Sequence, residues 1–241
     1  MIKNPNDIVD CLVTDFLDVL RENLISVIMH GCAVSHEFVP GKSIISISVI
    51  LSDLSVEIVQ KCVPVQTYWK KKGVIVSFYF TPELLRKLQY THPVELLNIK
   101  NNYRVLYGDD LFSKMELQKN FIILQCDREL KSVSMSLRSD FINIFRKEKK
   151  IKSVLMTLFP RLLPLFCAIL ITVDRKMCRS ESEIISGIED LCGLGISALS
   201  DLFYDNQRFK NQNLNLLIRF VEAIDKIECF VNQIRENQTE S

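Results

Sequence analysis

The fold is decided by residues 24 to 51, which have the sequence LISVIMHGCAVSHEFVPGKSIISISVIL. The segment from Ile25 to His30 is apolar and β-branched, and it runs directly into the small residues Gly31-Cys32-Ala33. After a short loop that contains proline and glycine, apolar residues alternate from Ser43 to Leu51. β-Branched runs favour strands, and glycine and proline favour turns between them. The stretch therefore predicts two paired strands.

The flanking patterns extend this unit in both directions. Asn4-Pro5-Asn6-Asp7 has the capping side chain, the proline and the acid typical of a helix start, and an apolar face follows to about Leu24. Tyr103 to Tyr107 fits either another strand or the start of a helix. Between the paired strands and that segment, the patterns predict a helix over 54–72 kinked at Pro64, a strand over 74–80, a helix over 81–90 and a strand over 93–100.

The sequence pattern changes after Asp110. From about Leu117 to Lys150 the apolar residues follow a helical period within a highly charged segment. Further helices are predicted over 151–175, 181–191, 196–204 and 213–235, and no convincing strand follows Ile151. The fold class is therefore α+β: an N-terminal mixed β-sheet with helices over 1–112, an all-α helical bundle over 113–236 and a polar tail over 237–241.

The overall charge does not point to a charged partner. Thirty basic residues against twenty-nine acidic ones leave a formal charge of +1 among 241 residues. Such a chain has no global field that would steer it onto nucleic acid or an anionic membrane. A basic cluster could contact RNA or phosphate, but a solvated helix end is the favoured interpretation; it comprises Arg146, Lys147, Lys149, Lys150 and Lys152.

The cysteines and the apolar runs indicate a cytoplasmic protein. The eight cysteines are scattered singly, with no zinc-like spacing, and we expect buried free thiols in a reducing cytoplasm. The apolar run from Leu162 to Val173 is shorter than the roughly 20 residues that span a bilayer. We therefore expect a buried helix there and no membrane association.

The stretch from Leu24 to Leu51 resembles the nucleotidyltransferase signature. In that signature a strand leads into a glycine and a small hydroxyl residue, and a later strand carries two alternating acids. Gly31-Cys32 matches the first half. The segment PVELLNIKNNYRVLYGDDLF, residues 93–112, and the helix that contains Cys126-Asp127-Arg128-Glu129-Leu130 are similar to a bacterial group of nucleotidyltransferase-domain proteins with an all-helical C-terminal region. The resemblance implies a nucleotidyltransferase-like N-terminal domain.

The resemblance also implies a site whose metal ligands are missing. In working members the glycine and serine hold nucleotide phosphates, and the two acids bind divalent metals. Here the acid pattern stands as Ser43-Ile44-Ile45-Ser46, so both acid positions are neutral, and Cys32 replaces the serine. A third acid of such families sits on a later strand, where Glu95 is the candidate. The remnant nucleotide-binding residues are thus Gly31, Cys32, Ser43, Ser46 and Glu95, with no catalytic residue, metal or cofactor expected.

Three functions remain open at this point. The leading hypothesis is a non-catalytic pseudo-nucleotidyltransferase that binds a nucleotide or a protein partner. The second is a residual nucleotidyltransferase in which Glu95 and substrate phosphates hold one Mg²⁺. Phosphoryl-transfer sites usually combine one or two carboxylates with those phosphates, and one acid alone is a poor Mg²⁺ site. The third is a homo-oligomeric assembly protein without a ligand, which would use an apolar stripe on the helices from Leu117 onward.

Other polar residues have simpler interpretations. Asp109-Asp110 stands before a helical stretch, where paired acids usually cap backbone N–H groups. His30 closes a strand and is expected to be a hydrogen-bonded structural residue. No histidine occurs after His92, so a ribonuclease site with a nearby arginine and histidine lacks support.

Overall fold

The chain forms two compact units in the computed structural model, which describes residues 2–35, 38–144, 148–173, 180–194, 199–200 and 213–239. The first unit comprises Met1–Thr91 and Leu96–Glu116, and the second comprises His92–Glu95 and Leu117–Ser241. The division at Glu116 lies four residues beyond the predicted one at 112, and the segment His92–Glu95 belongs to the helical unit.

The first unit contains a sheet and the helices that connect its strands. A 3-10 turn, Pro5–Ile8, leads into the first helix, and a second one, Gly31–Val34, follows the first strand. The helices and strands are α1 (Val9–Leu20), β1 (Leu24–His30), β2 (Ile45–Leu51), α2 (Val56–Lys61), α3 (Val63–Lys71), β3 (Val74–Phe80), α4 (Pro82–Thr91), α5 (Pro93–Asn101) and β4 (Tyr103–Gly108).

The sheet is mixed and has the strand order β3-β2-β1-β4. β1 pairs antiparallel with β2 and with β4, whereas β2 and β3 are parallel. A parallel pair needs a crossover, and α2 and α3 supply it. The predicted pairing of the first two strands is therefore confirmed, and Tyr103 begins a strand rather than a helix.

One hydrophobic core cluster of this unit lies on one face of the sheet. Leu12 and Phe16 of α1 are fully buried, and Trp69 of α3 is 3% exposed. They belong to one cluster with the alternate residues Ile47 and Val49 of β2. Because side chains alternate across a strand, the intervening residues of β2 point to the opposite face. That opposite face contains the positions at which the resemblance places a nucleotide.

Two predicted elements of this unit differ from the structure. The predicted helix over 54–72 is two helices that meet at Cys62, because Pro64 stands in the first turn of α3, where its missing N–H costs no hydrogen bond. The predicted strand over 93–100 is wrong: these residues form α5, with Pro93 at its start and the Val94 N–H donating to Gln125 Oε1 at 3.0 Å. The apolar positions of this short segment fit both the helical and the strand period, so the pattern alone did not distinguish a helix from a strand.

The described part of the second unit is helical and contains no strand. Its helices are α6 (Lys119–Ile144), α7 (Glu148–Thr172), α8 (Glu181–Leu191) and α9 (Asn213–Thr239). The buried Asp127 of α6 forms ion pairs with Lys131 at 2.6 Å and with Arg235 of α9 at 2.5 Å. The described part of α7 begins at Glu148, before the predicted helix start at Ile151, and α9 extends into the predicted polar tail. Of the predicted helix over 196–204, only Leu199 and Ser200 are described.

The most apolar helix is a core helix of the bundle. Ser153–Thr172 of α7 is long and apolar enough to cross a membrane by composition, with a mean hydropathy of 2.2. Leu162, Phe166 and Ile169 are nevertheless fully buried, and α7 packs against α6, α8 and α9. A core helix of a bundle satisfies the same criteria of length and composition.

The expectation that the cysteines are buried is only partly correct. Cys62, Cys126 and Cys167 are buried free thiols, as predicted. Cys11 and Cys229 are exposed, because they lie on the outward faces of the amphipathic helices α1 and α9. Cys32 and Cys192 are partly buried, and Cys178 lies outside the described residues.

Candidate functional site

The predicted phosphate turn follows the end of β1. Gly31 has a φ of +72°, a conformation that favours glycine. Its N–H donates to the Asn102 carbonyl at 3.0 Å, and the Asn102 side chain donates back to the Gly31 carbonyl at 3.3 Å. The Cys32 thiol donates to the Ile44 carbonyl at 3.5 Å. Asn102 thus fixes the turn to the segment before β4, a role that the sequence pattern did not indicate.

The predicted acid positions lie where β2 begins. The Ser43 hydroxyl accepts the Val39 N–H at 2.9 Å and so closes the preceding loop. Ile44 is 50% exposed, so it neither fills a pocket nor turns into the core. Ser46 lies on β2 directly opposite His30. The structure therefore brings Gly31, Cys32, Ser43 and Ser46 together, because β1 and β2 are antiparallel neighbours.

A buried pair of polar residues lies one step further along the same face. Ser48 Oγ and His30 Nε2 are 3.0 Å apart, and the His30 ring stacks on Phe78 with centroids 6.4 Å apart. Burial lowers the pKa of His30 from 6.5 to about 4, against the opposing influence of a hydrogen bond with the Ile47 backbone. The imidazole is therefore neutral at neutral pH. This supports the structural interpretation of His30.

The sheet offers no carboxylate to a metal ion. The four strands have the sequences LISVIMH, ISISVIL, VIVSFYF and YRVLYG, none of which contains aspartate or glutamate. Across the described part of the chain, no group of three or more His, Cys, Asp or Glu residues is arranged to hold a metal. Mg²⁺ prefers hard, charged oxygen ligands. The thiol, hydroxyls and aliphatic side chain of this site do not fit it.

Glu95 does not lie on a strand of the sheet. It belongs to α5 and to the second unit, where both of its carboxylate oxygens accept from Gln125 Nε2, at 3.1 and 2.9 Å. Gln125 in turn caps the start of α5 through Val94. A cavity of about 230 Å³ lies beside these residues, with Glu129 and Arg161 also in its lining. The strand position expected for a third acid is therefore not the position of Glu95.

Asp110, the second member of the acid pair, has the local structural role predicted for it. Its Oδ1 accepts the N–H groups of Phe112 and Ser113, both at 3.0 Å, and its carboxylate also accepts the hydroxyl of Tyr103. These bonds close the turn after β4. Asp110 is thus committed to local structure.

Among the comparisons with known proteins, only the one with solved structures bears on this chain, and it bears on the fold. No protein-family model and no curated protein sequence matches the chain. Among solved structures, the chain is similar to the spectinomycin adenyltransferase AAD(9) from Enterococcus faecialis, determined with ATP and spectinomycin. The TM-score is 0.54 at 14% sequence identity, over 91% of this chain and 98% of that one. Similarity at this level of identity establishes a nucleotidyltransferase-like α+β fold with a C-terminal helical region.

Proposed function

We propose that this protein is a non-catalytic nucleotidyltransferase-like protein that acts by binding a nucleotide or a protein partner. One observation carries the proposal: a nucleotidyltransferase-like sheet is retained, while none of its four strands contains an acid. Transfer of a nucleotidyl group depends on metal ions that neutralise phosphate charge and align the attacking oxygen. Without carboxylates those ions have no ligands on this sheet.

The nucleotide is the first ligand to test. The structural neighbour was determined with ATP, and the glycine turn at Gly31 persists here in the left-handed conformation. A ligand held by backbone N–H groups and hydroxyls alone would bind without Mg²⁺. If the chain binds no nucleotide, the protein-binding form of the proposal remains.

Calorimetric titration with each nucleoside triphosphate, with and without Mg²⁺, tests this proposal. We expect the native chain to transfer no nucleotide and to show no dependence of affinity on Mg²⁺. The variant Ile44→Asp/Ser46→Asp should gain Mg²⁺-dependent affinity of about tenfold, because paired carboxylates create a metal site. Ile44→Asn/Ser46→Asn, which adds similar polar volume without charge, is the control and should not gain it.

The residual-enzyme hypothesis makes the opposite prediction. Mg²⁺-dependent transfer by the native chain that is lost in Glu95→Ala would show that the protein is an enzyme. The contacts of Glu95 argue against this outcome, since its carboxylate already accepts two hydrogen bonds from the Gln125 amide. Gln125 is itself buried, which holds the pair in place.

A second candidate function, assembly of several copies, is favoured by one surface of α6. Leu124, Met135 and Ile142 are 51%, 74% and 81% exposed. Their spacings of eleven and seven residues place all three on one stripe of the helix. Exposed apolar stripes of this kind favour association between helices. Light scattering of the native chain over a range of concentrations tests this function.

The exposed thiols support a reducing compartment. Cys11 and Cys229 are free and exposed, and an oxidising environment would oxidise such thiols. We therefore place the protein in the cytoplasm, and the resemblance suggests a bacterial cell.

A further inference from the structure

A groove of about 610 Å³ runs between α1 and α3, on the sheet face opposite the candidate site. Its apolar lining includes the largely buried residues Ile8, Val65 and Trp69. Volumes of a few hundred cubic ångströms and apolar linings are typical of binding sites. Nothing in the proposed function uses this surface.

The groove is acidic as well as apolar. Asp7, Asp15 and Asp18 line it, against the single basic residue Lys72. Asp15 accepts the indole N–H of Trp69 at 2.8 Å, so it is committed to holding that ring. Asp7 and Asp18 are exposed, and their carboxylates make no hydrogen bond or ion pair with any described residue. These two carboxylates are therefore available to a cationic ligand.

The aromatic wall of the groove already holds an ammonium group. Lys72 Nζ lies 4.2 Å from the centroid of the Tyr68 ring and 5.1 Å from that of Trp69, and it contacts the Tyr68 hydroxyl at 2.5 Å. Such contacts are the cation–π interactions by which aromatic rings bind lysine and arginine. Because Lys72 is exposed, a ligand with its own cation can displace it.

The spacing of the free carboxylates requires a long ligand with two separate cationic groups. Asp7 and Asp18 are eleven positions apart, which corresponds to roughly 17 Å along the helix. One ammonium group cannot contact both, whereas a peptide segment with two basic side chains can. Val63 and Tyr68, 57% and 49% exposed, add apolar surface to α3. Apolar surface beside unpaired charge is characteristic of protein interfaces.

We propose that the groove between α1 and α3 binds a basic amphipathic segment of a partner protein, with two cationic side chains on Asp7 and Asp18 and apolar side chains over Val65 and Tyr68. This site does not depend on the proposed function, since it lies on the other face of the sheet. It holds whether or not the chain binds a nucleotide.

Trp69 gives a direct measurement, because it is the chain's only tryptophan and lies in the groove. The probe is a helix-forming peptide with two lysines eleven positions apart and leucines on the same stripe between them. We expect a saturable change in tryptophan fluorescence of the full chain, weakened by added salt. A peptide with glutamates in place of the lysines should produce no change.

Charge-neutralised variants locate the peptide. Asp7→Asn/Asp18→Asn should lower the peptide affinity about tenfold. Asp10→Asn/Glu22→Gln removes two exposed carboxylates from the same region outside the groove, and it should leave the affinity unchanged. Equal losses in the two double variants would overturn the proposal, because they would indicate general attraction to an acidic surface.

A free polyamine is the alternative source of cations for this groove, and competition with spermidine distinguishes it from a protein segment. We expect spermidine to compete with the peptide only at much higher concentration, because it lacks the apolar side chains that contact Val65 and Tyr68. Binding of spermidine at least as tight as that of the peptide would overturn the assignment to a protein partner. Absence of any fluorescence change with the peptide would overturn it as well. Neither outcome bears on nucleotide binding by the opposite face.

Discussion

At the scale of single residues, His30 shows how a polar side chain is accommodated in this sheet. Its ring is 8% exposed, stacked on Phe78 and paired with the Ser48 hydroxyl, which is also buried. Protonation would place a charge in this apolar setting, and burial is the main reason for its low pKa. The sequence indicated a structural role for His30, but its partner Ser48 became apparent only from the register between β1 and β2.

His30 should make the folded state sensitive to mild acid. Its folded-state pKa of about 4 lies below the ordinary 6.5, so the unfolded chain takes up the proton first as the pH falls. The stabilisation is complete above pH 6.5, is lost between pH 6.5 and about 4, and changes no further below that. The loss amounts to roughly 3 kcal/mol.

Urea unfolding at several pH values across this window measures the effect. His30→Gln should remove most of the pH dependence that the native chain shows between pH 6.5 and 4. His92→Gln is the matched control, since His92 is exposed, and it should retain the native dependence. An unchanged slope in His30→Gln would mean that other groups produce the acid sensitivity.

At the scale of secondary structure, β4 joins the sheet through a close backbone approach. Gly108 ends the strand opposite Ser26 with a φ of +75°. A Cβ atom at this position would lie 1.8 Å from the Ile25 carbonyl oxygen. Any side chain would therefore push β4 away from β1. Gly73, which precedes β3, has a φ of +89° but no atom within 4 Å of the same point.

These two glycines give a matched pair of variants. Gly73→Ala should cost roughly 1–2 kcal/mol, the penalty of the left-handed conformation alone. Gly108→Ala adds a steric clash with the backbone of β1 and should cost about 4 kcal/mol or more. Denaturant unfolding followed by Trp69 fluorescence compares them. Equal losses would show that β1 and β4 can separate without penalty.

Elements with a single clear pattern were predictable. The first helix, the two paired strands and the strand over 74–80 occur where the sequence indicates, because the helix has one apolar face and the strands are runs of apolar and β-branched residues. The segment 93–100 was not predictable, since its apolar residues fit either period. Its helix is stabilised by Gln125, a residue about thirty positions away, and no local pattern contains that information.

At the scale of the whole molecule, the stripe on α6 predicts self-association. We expect the average mass of the native chain to rise with concentration in light scattering, as copies bury Leu124, Met135 and Ile142. Met135→Lys should weaken association about tenfold, because it places a charge at the centre of the stripe. Ser136→Lys adds the same charge to an exposed position beside the stripe and should have little effect. A constant monomer mass for the native chain would exclude this function.

The sequence by itself determined that neutral residues, Ile44 and Ser46, stand at the two acid positions of the signature, and it indicated a sheet followed by helices. Both are local properties, set by residue type and by periodicity. Only the tertiary structure decided that Gly31, Cys32, Ser43 and Ser46 meet at one edge of the sheet, that Glu95 lies on a helix, and that an acidic groove forms between α1 and α3. These features depend on strand register and on packing between residues distant in the chain, because side chains far apart in sequence become neighbours only when the sheet and its helices assemble.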